Sequence, residues 1–359
     1  MNDAVFERRP ECARCRLSIV VPAYNEGDGL REFQRRLGSV LDAIPGDHEI
    51  VYVNDGSTDA TLAVMKQLAS DDERIGIVDL SRNFGKEIAM TAGLDLTAGD
   101  AVIVIDADLQ DPPELIPALV QAWREGYDVV YAKRVSRHGE TIVKKITAYA
   151  FYRVIRRVSH VDIPPDTGDF RLLSRRAVAA LLKLREHHRF MKGLFAWIGY
   201  PQKAISYQRE PRFAGSTKFD YWKLWNFALE GVTSFTIAPL KIATFVGLSV
   251  GTLALVYAAW IVYKTIAFGE PVRGDPTLIV VSLLLGGVQL ACLGLLGEYV
   301  GRMFDEVKGR PLYLINEYCP SRNGSALGRY PVPAMRGEPA PGSVDELARR
   351  PSLHPAHEH

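Results

Sequence analysis

Carboxylates in the stretch AVIVIDADLQDPPELI (101–116) are the first residues that could do chemistry, because Asp106, Asp108 and Asp111 crowd the end of an apolar run. In a regular strand, residues two positions apart face the same side, so Asp106 and Asp108 are expected to point together. Paired carboxylates suit a hard divalent cation, Mg²⁺ or Mn²⁺, and Gln110 adds a neutral oxygen ligand. Such an ion would neutralise a diphosphate leaving group. Capping of a following helix accounts for Asp111 alone.

Short apolar runs that alternate with amphipathic segments must position these carboxylates. This alternation predicts a parallel sheet covered by helices on both faces. The predicted strands are 17–23, 49–55, 75–80, 101–107 and 128–133. The predicted helices are 28–43, 59–70, 85–97 and 114–125. Ligands of such sheets bind beyond the carboxyl ends of the strands, where the following polar residues gather: Tyr24, Asn25, Glu26, Asp55, Asp106, Asp108, Lys133 and Arg134.

Two common classes of binding protein do not fit this pattern. With 43 basic and 42 acidic residues the net charge is +1, which gives no support to a nucleic-acid partner. A dinucleotide fold needs Gly-x-Gly-x-x-Gly after the first strand. The sequence there is PAYNEGDGL, in which Gly27 and Gly29 lack a third glycine and Glu26 would repel a pyrophosphate. Hydride transfer is therefore not predicted.

Two uncharged segments near the carboxyl terminus are long enough to span a membrane. Residues 242–263 and 277–296 carry no charge, and about 20 apolar residues cross a bilayer core. Buried core helices are the alternative, which two such segments in succession make less favourable. Lysine and arginine flank the outer ends of the pair, so the positive-inside rule places both ends in the cytoplasm.

The remaining segments are polar or amphipathic. Residues 141–158 and 219–235 mix cations with apolar and aromatic side chains, which suits either the membrane interface or a protein surface. From about residue 320 the chain is rich in Pro, Arg, Gly and Ser, which predicts a disordered tail. The first 16 residues form a polar leader without a signal-peptide core. Their lone Cys-x-x-Cys has no second ligand pair for zinc.

A loop just before the predicted spans is a candidate site for a lipid phosphate. The sequence REPRFAGSTKF supplies Arg212, Ser216 and Lys218 beside the second amphipathic segment. Two cations and a hydroxyl can bind a phosphate specifically, whereas attraction to anionic headgroups would need no defined geometry. Specific binding is favoured, because serine and glycine add nothing to a polybasic patch. Upstream, DTGDFRLLSR places Asp169 and Arg171 on one face of a predicted short strand.

Five motifs in one order carry a family resemblance. They are SIVVPAYNEGDGL, VNDGSTDAT, SRNFGKEIAMTAGL, VIDADLQDPPELI and DTGDFRLLSRRAV. Together they resemble the family-2 glycosyltransferases, and within them the polyprenyl-phosphate glycosyltransferases, including bactoprenol glucosyltransferases and dolichol-phosphate mannose synthases. The resemblance covers roughly residues 17 to 310.

The resemblance implies an α/β domain of the GT-A type, Rossmann-like and mostly parallel, with interfacial amphipathic helices and two transmembrane helices. The implied division is a leader (1–16), a cytoplasmic GT-A domain (17–218), a juxtamembrane helix (219–240), two spans (241–300) and a cytoplasmic tail segment (301–359). Asp169 is placed at the reaction centre, and Asp108 and Gln110 are implied direct metal ligands, with Asp106 near the ribose and metal. The implied nucleotide-binding residues are Pro22, Ala23, Tyr24, Glu26, Asp55 and Asp106.

The implied reaction moves a sugar, glucose by the nearest resemblance, from a UDP-sugar to a polyprenyl phosphate with inversion. An acceptor phosphate is already anionic, so Asp169 is a base, a positioning group or an electrostatic partner of Arg171. The cations Arg134, Arg171 and Lys218 would offset repulsion between two phosphorylated substrates. Lys86 is a weak candidate that would otherwise only begin a helix.

Several alternatives remain open at this point. A processive polysaccharide synthase would be expected to have more spans and a Q-x-x-R-W motif. A membrane scaffold with a relic nucleotide pocket would not need its acidic residues. Transfer of mannose, N-acetylglucosamine or an aminosugar is not excluded by the sequence. The expected setting is the bacterial inner membrane, and a homo-oligomer is expected, with a tetramer favoured, because two spans pack more readily as a bundle from several subunits.

Overall fold

The computed structural model describes residues 15–134, 167–208, 238–268 and 276–322. The described residues do not include the segments 141–158 and 219–235, most of the connector between the two predicted spans, or the tail from residue 323. The phosphate-binding candidates Arg212, Ser216 and Lys218 also lie outside them.

The α/β domain alternates strands and helices through its first half, as predicted. In chain order its elements are β1 (Arg16–Ala23), α1 (Leu30–Asp42), β2 (Asp47–Asn54), α2 (Thr61–Asp71), β3 (Ile75–Leu80), α3 (Lys86–Asp95), β4 (Ala101–Val104), a 3₁₀ turn (Pro113–Leu115), α4 (Ile116–Arg124) and β5 (Val129–Arg134). The later elements are β6 (Thr167–Ser174), α5 (Arg175–Leu181), α6 (Met191–Trp197), β7 (Gln202–Tyr207), α7 (Ala238–Phe268), α8 (Pro276–Val307) and β8 (Ile315–Cys319).

One eight-stranded sheet in the described residues has the order β7-β5-β6-β4-β1-β2-β3-β8. Strands β1 to β4 run parallel, β5 pairs in parallel with β7, and β6 and β8 are antiparallel to their neighbours. The expectation of a mostly parallel sheet of the GT-A type is confirmed. Strands β7 and β8 were not predicted, and β8 returns from beyond the apolar helices to pair with β3.

Helices cover both faces of the sheet because successive strand residues point to opposite sides. In β1, Ile19 and Val21 pack under α1, α2 and α4, whereas Val20 packs under α3, α5 and α6. Gly93 of α3 is required by this packing, since a Cβ there would lie 2.3 Å from Val20 Cγ1. The two apolar layers hold the strand ends, and hence the site, in fixed positions.

Strand β4 ends at Val104, three residues earlier than predicted. Asp106 and Asp108 therefore lie beyond the strand, Asp108 in the turn that follows, and the prediction that a strand directs both to one face is wrong. The turn contains Leu109 with φ +58°, a left-handed conformation that the extended pattern does not foresee.

Helices α7 and α8 are long and apolar enough to cross a membrane, over Pro239–Lys264 and Leu284–Val307. The apolar window of each helix has 0% of its residues buried in the described structure, unlike a core helix of the α/β domain. Large apolar side chains such as Leu255, 74% exposed, and Ile266, 80% exposed, face outward along α7. Such a surface is matched to lipid rather than water.

Candidate active site

Hydrogen bonds join the turns that follow β1 and β2, at the carboxyl ends of these two strands. Asn25 takes φ +54°, and its backbone N–H donates to Ser57 Oγ at 3.0 Å. The N–H of Glu26 donates to Thr61 Oγ1 at 2.9 Å. Tyr24 is 37% exposed on this turn, beyond the buried strand end formed by Pro22 and Ala23. The predicted nucleoside-binding residues after β1 are thus held together on one surface, and contact with a nucleoside stays a prediction.

Asp55 is a buried residue that holds the loop leading into α3. Its two carboxylate oxygens accept from the backbone N–H groups of Phe84 and Gly85, at 2.7 and 3.0 Å. Burial raises the pKa of Asp55, and the two N–H donors oppose that rise. These bonds give Asp55 a structural role in the loop before α3, whereas its predicted contact with the nucleotide stays a prediction.

Lys86 pairs with Asp106, one of the three crowded carboxylates, and with Asp169. Its Nζ lies 2.7 Å from Asp106 Oδ2 and 2.5 Å from Asp169 Oδ2, so one ammonium bridges two acids from different strand ends. The sequence marks Lys86 only weakly and predicts a metal here. The available signal is its place at the start of the helix after the third predicted strand, which puts it on the same edge of the sheet as Asp106.

The two bridged carboxylates differ in their acidity. Burial raises the pKa of Asp106 to about 6, although the ammonium of Lys86 opposes this. Burial acts in the same direction on Asp169, but the ammonium groups of Lys86 and Lys192 outweigh it and hold the pKa of Asp169 below its usual value. Asp169 is therefore ionised at neutral pH and is a poor proton acceptor.

Glu87 and Lys192 are two further charged residues that sequence analysis missed. Glu87 follows Lys86 in the first turn of α3, and its Oε2 accepts from the N–H of Met191 at 3.1 Å. Burial, reinforced by the Asp169 carboxylate, raises the pKa of Glu87 to about 7. Lys192 lies on α6, next along the chain from Met191, and burial lowers its pKa. No local motif marks either residue, because both reach the site through packing.

Arg171 shares a strand with Asp169 but is directed into the protein. Its side chain is buried, its Nη2 donates to the carbonyl of Gly168 at 2.8 Å, and its Cζ lies 3.7 Å from the centroid of the Phe195 ring. Burial lowers the pKa of Arg171 to about 10, so it stays charged at neutral pH. The structure thus buries Arg171 on the strand that carries Asp169, and its contact with an acceptor phosphate stays a prediction.

Arg134, Tyr207 and Asp111 form a chain of hydrogen bonds beside β6. Arg134 Nε donates to the Tyr207 hydroxyl at 3.3 Å, and that hydroxyl donates to Asp111. A Cβ at Gly168 would lie 3.3 Å from Arg134 Nη2, so the guanidinium lies against the strand of Asp169. The prediction that Asp111 caps a helix is wrong, because the 3₁₀ turn has no side-chain cap and Asp111 is turned toward β7.

The acidic residues fit a divalent cation that a ligand would help to coordinate. Asp106 Oδ1 and Asp169 Oδ1 are buried oxygens without a hydrogen-bond partner, and Asp108 Oδ1 accepts from the Gln110 N–H at 3.1 Å. Within the described part of the chain no group of three or more His, Cys, Asp or Glu could hold a metal alone. Magnesium commonly uses one or two carboxylates and completes its shell with phosphate oxygens and water. The carboxylate oxygens of Asp106, Asp108 and Asp169 fit this mode of binding.

Known proteins with similar sequences cover most of the chain. Residues 18–182 match glycosyl transferase family 2, and residues 238–303 match the GtrB C-terminal hairpin. An uncharacterised glycosyltransferase of Synechocystis is 56% identical over 84% of this chain and 95% of its own. A bactoprenol glucosyl transferase of Shigella phage SfII is 46% identical and a prophage bactoprenol glucosyl transferase homolog of Escherichia coli 45% identical, each over 84% of this chain and 98% of its own.

Among solved structures, glucosyl-3-phosphoglycerate synthase of Mycobacterium tuberculosis in complex with Mn²⁺, UDP-glucose and phosphoglyceric acid is 21% identical. The match has a TM-score of 0.42 and covers 61% of this chain and 78% of that one. A likeness this distant carries no conclusion about the ligands of this chain.

Proposed function

The chain belongs to glycosyl transferase family 2, and on that premise we propose that it transfers a sugar, glucose in the first instance, from a UDP-sugar to a polyprenyl phosphate with inversion. The observation that carries the proposal is the cluster of Lys86, Asp106 and Asp169 at the carboxyl edge of the sheet. The relatives named as bactoprenol glucosyl transferases and the apolar hairpin support a lipid acceptor.

The donor side of the site consists of the turns after β1, β2 and β4. Tyr24, Glu26 and Asp55 are proposed to receive the nucleoside. Asp106, Asp108 and Gln110 would hold Mg²⁺ or Mn²⁺, which when bound supplies neutralisation of the diphosphate leaving group. Lys86 adds a positive charge at the same place, and a preorganised cation there stabilises charge that develops in the transition state.

On the acceptor side, a cation that binds the acceptor phosphate is needed more than a base that removes a proton. An acceptor phosphate oxygen attacks the anomeric carbon, the bond from that carbon to the diphosphate oxygen breaks, and no proton has to be removed. We therefore assign Asp169 a positioning role: its carboxylate, ionised at neutral pH, holds Lys86 in place. Arg134 is proposed to bind the incoming phosphate, together with the predicted loop residues Arg212, Ser216 and Lys218.

A transfer assay in detergent tests the reaction. Purified enzyme is incubated with undecaprenyl phosphate, Mg²⁺ or Mn²⁺ and a panel of radiolabelled nucleotide sugars. Asp108→Ala is compared with Asp100→Ala, a control at the opposite end of β4 whose carboxylate accepts from the Arg16 N–H at 3.0 Å. Lipid-linked product from one donor, lost with Asp108→Ala or a chelator and kept with Asp100→Ala, supports the proposal. Measurable UDP binding without product from any donor would contradict it and favour a scaffold.

We propose that the α/β domain lies on the cytoplasmic side of the bacterial inner membrane, on the basis of the cations that flank the apolar pair. A cysteine introduced by Glu270→Cys in the connector should react with an impermeant maleimide in spheroplasts. Asp100→Cys in the α/β domain should react only after lysis. The reverse labelling pattern would invert the topology.

We also propose a homo-oligomer, with a tetramer favoured, assembled through α8. An exposed row on this helix repeats at alternating spacings of four and three, which is the seam of a coiled coil. The row consists of Gln289, Leu293, Leu296, Val300, Met303 and Val307. A glutamine amide in an apolar span gains from a hydrogen bond across helices, worth about 1 kcal/mol. Gln289→Leu should weaken the oligomer in native mass spectrometry relative to Gln289→Asn, and a monomeric wild type would refute the proposal.

A further inference from the structure

The carboxyl end of α8 is attached to the α/β domain through two histidines. The backbone N–H of His187 donates to Glu306 Oε1 at 2.7 Å, and its ring Nδ1 lies 3.3 Å from Glu306 Oε2. Its ring Nε2 lies 2.8 Å from the carbonyl oxygen of Arg310. His188 Nε2 lies 3.2 Å from Asp305 Oδ2. The α8 joint consists of these five residues: His187, His188, Asp305, Glu306 and Arg310.

A short stretch of chain leads from this joint to α3, the helix that begins at Lys86. Four residues after His187, the N–H of Met191 donates to Glu87 Oε2 in the first turn of α3. Burial raises the pKa of Asp169, and the ammonium of the next residue, Lys192, lies close enough to help Lys86 outweigh that rise. The end of α8 is thus connected to the start of α3 within one loop.

A second connection reaches the other end of α3. Tyr313 lies six residues beyond the last residue of α8, and its buried hydroxyl donates to Asp95 Oδ2 at 2.6 Å. Arg185 binds the same carboxylate through two hydrogen bonds of 2.6 and 2.7 Å. Asp95 is the last residue of α3, so the helix that carries Lys86 is tied to α8 at both ends.

Two attachments fix a direction, whereas one would leave the helix free to pivot. Glu87 and Asp95 are about 12 Å apart along α3, given a rise of 1.5 Å per residue. Within α8, the uncharged stretch 277–296 is followed by Glu298 as the first charge, and Asp305 lies about 10 Å further on the same continuous helix. The end of α8 is therefore a stiff spacer between the apolar span and α3, which carries Lys86.

We infer that the α8 joint is a positioning element that sets the height and tilt of the active site over the membrane. The inference rests on the proposed function, because only an acceptor held in the bilayer requires a fixed height. An acceptor that is dissolved in water reaches the site at any height. The joint therefore determines transfer to a membrane-held polyprenyl phosphate and leaves donor binding and transfer to a soluble acceptor unchanged.

Glu306→Ala and Glu298→Ala form a matched pair for the test. The two glutamates lie on the same helix with side chains 42% and 43% exposed, but Glu298 is bonded to Arg302 of its own helix. Both variants are reconstituted in nanodiscs and assayed with undecaprenyl phosphate in the bilayer and with a short-chain, water-soluble prenyl phosphate. UDP affinity is measured by calorimetry. His187→Ala breaks the same joint from the other side and decides the matter if Glu306→Ala does not fold.

The expected result is a loss of about fivefold in kcat/KM for the bilayer acceptor with Glu306→Ala, from breaking partly exposed charged hydrogen bonds. For Glu306→Ala, the rate of transfer to the soluble acceptor and the Kd for UDP should each stay within about twofold of the values for Glu298→Ala. Equal losses with both acceptors, or no difference from Glu298→Ala, would overturn the inference. If the wild type transfers sugar to neither acceptor, the proposed function itself fails.

Discussion

Replacement of Lys86 by methionine should change metal binding and turnover in opposite directions. The Lys86 ammonium bridges Asp106 and Asp169, so the two acidic oxygens lie within about 5 Å of each other. Two unit charges at that distance repel by about 3 kcal/mol at an effective dielectric constant of 20. The side chain of Lys86 is 44% exposed, so solvent screening lowers this to about 1–2 kcal/mol.

A divalent cation would relieve the repulsion that Lys86→Met exposes, and it would no longer compete with an ammonium for Asp106. We therefore expect the variant to bind Mn²⁺ about tenfold more tightly, since 1.4 kcal/mol corresponds to a factor of ten. Turnover should fall by about 10²–10³, the usual loss when a preorganised charge at the reacting groups is removed. The change in Tm should be small, because the ion pair is partly exposed.

Mn²⁺ affinity is measured by electron paramagnetic resonance on the donor-free enzyme, and turnover by the transfer assay. Lys66→Met is the matched control, because Lys66 is 47% exposed and pairs at 2.6 Å with Glu317 rather than with an acid of the candidate site. It should alter neither quantity. Weaker or unchanged Mn²⁺ binding in Lys86→Met would refute the idea that the ammonium and the metal share Asp106. Full turnover would refute the catalytic role of the charge.

Two other substitutions test the loop before α3 and the partly buried acid Glu87 in the first turn of α3. Gly56→Ala should lower stability by about 2 kcal/mol and abolish UDP binding, because Gly56 has φ +63° and its Cβ would lie 2.5 Å from the backbone of Arg82 and Asn83. An unchanged Tm would contradict this. The pKa of Glu87 is raised to about 7, so the folded chain keeps a proton that the unfolded chain releases above its ordinary value of 4.5, and wild-type stability falls as pH rises between these values. Glu87→Gln should reduce this dependence of stability on pH, and at pH 8 it should be more stable than the wild type by at most about 3 kcal/mol. Thermal unfolding at pH 5 and pH 8 measures both effects. An equal pH dependence in the two proteins would refute the raised pKa of Glu87.

The sheet and its helices could be predicted from the sequence because their signals are local. Alternating apolar and amphipathic runs identified β1 to β5 and α1 to α4, and a short strand was expected around Asp169. Strand β8 could not be found in this way. Its five residues, INEYC, are partly exposed on an edge strand, and their partner is Ile75–Leu80, more than 200 positions earlier.

From the sequence, Asp106, Asp108 and Asp169 were candidates for the site, Lys86 was only a weak one, and Glu87 and Lys192 were missed. Asp106 and Asp108 follow an apolar run, and Asp169 stands near the start of another, so the sequence marks each of these strand ends locally. Lys86 meets Asp169 across 83 positions, and Tyr207 meets Asp111 across 96, so neither pair leaves a mark on its neighbours in sequence. The direction of Asp111 was misjudged for the same reason, since its partner belongs to a strand that was not predicted.

What the sequence determined by itself is therefore the set of elements, their order and the edge of the sheet at which chemistry-bearing residues gather. Local periodicity is sufficient for that, because strand and helix residues are buried at fixed intervals. The tertiary structure decided which charges meet: Lys86 between two acids, and His187 on the end of α8. Such contacts depend on how separate elements pack, and packing is a property of the whole chain.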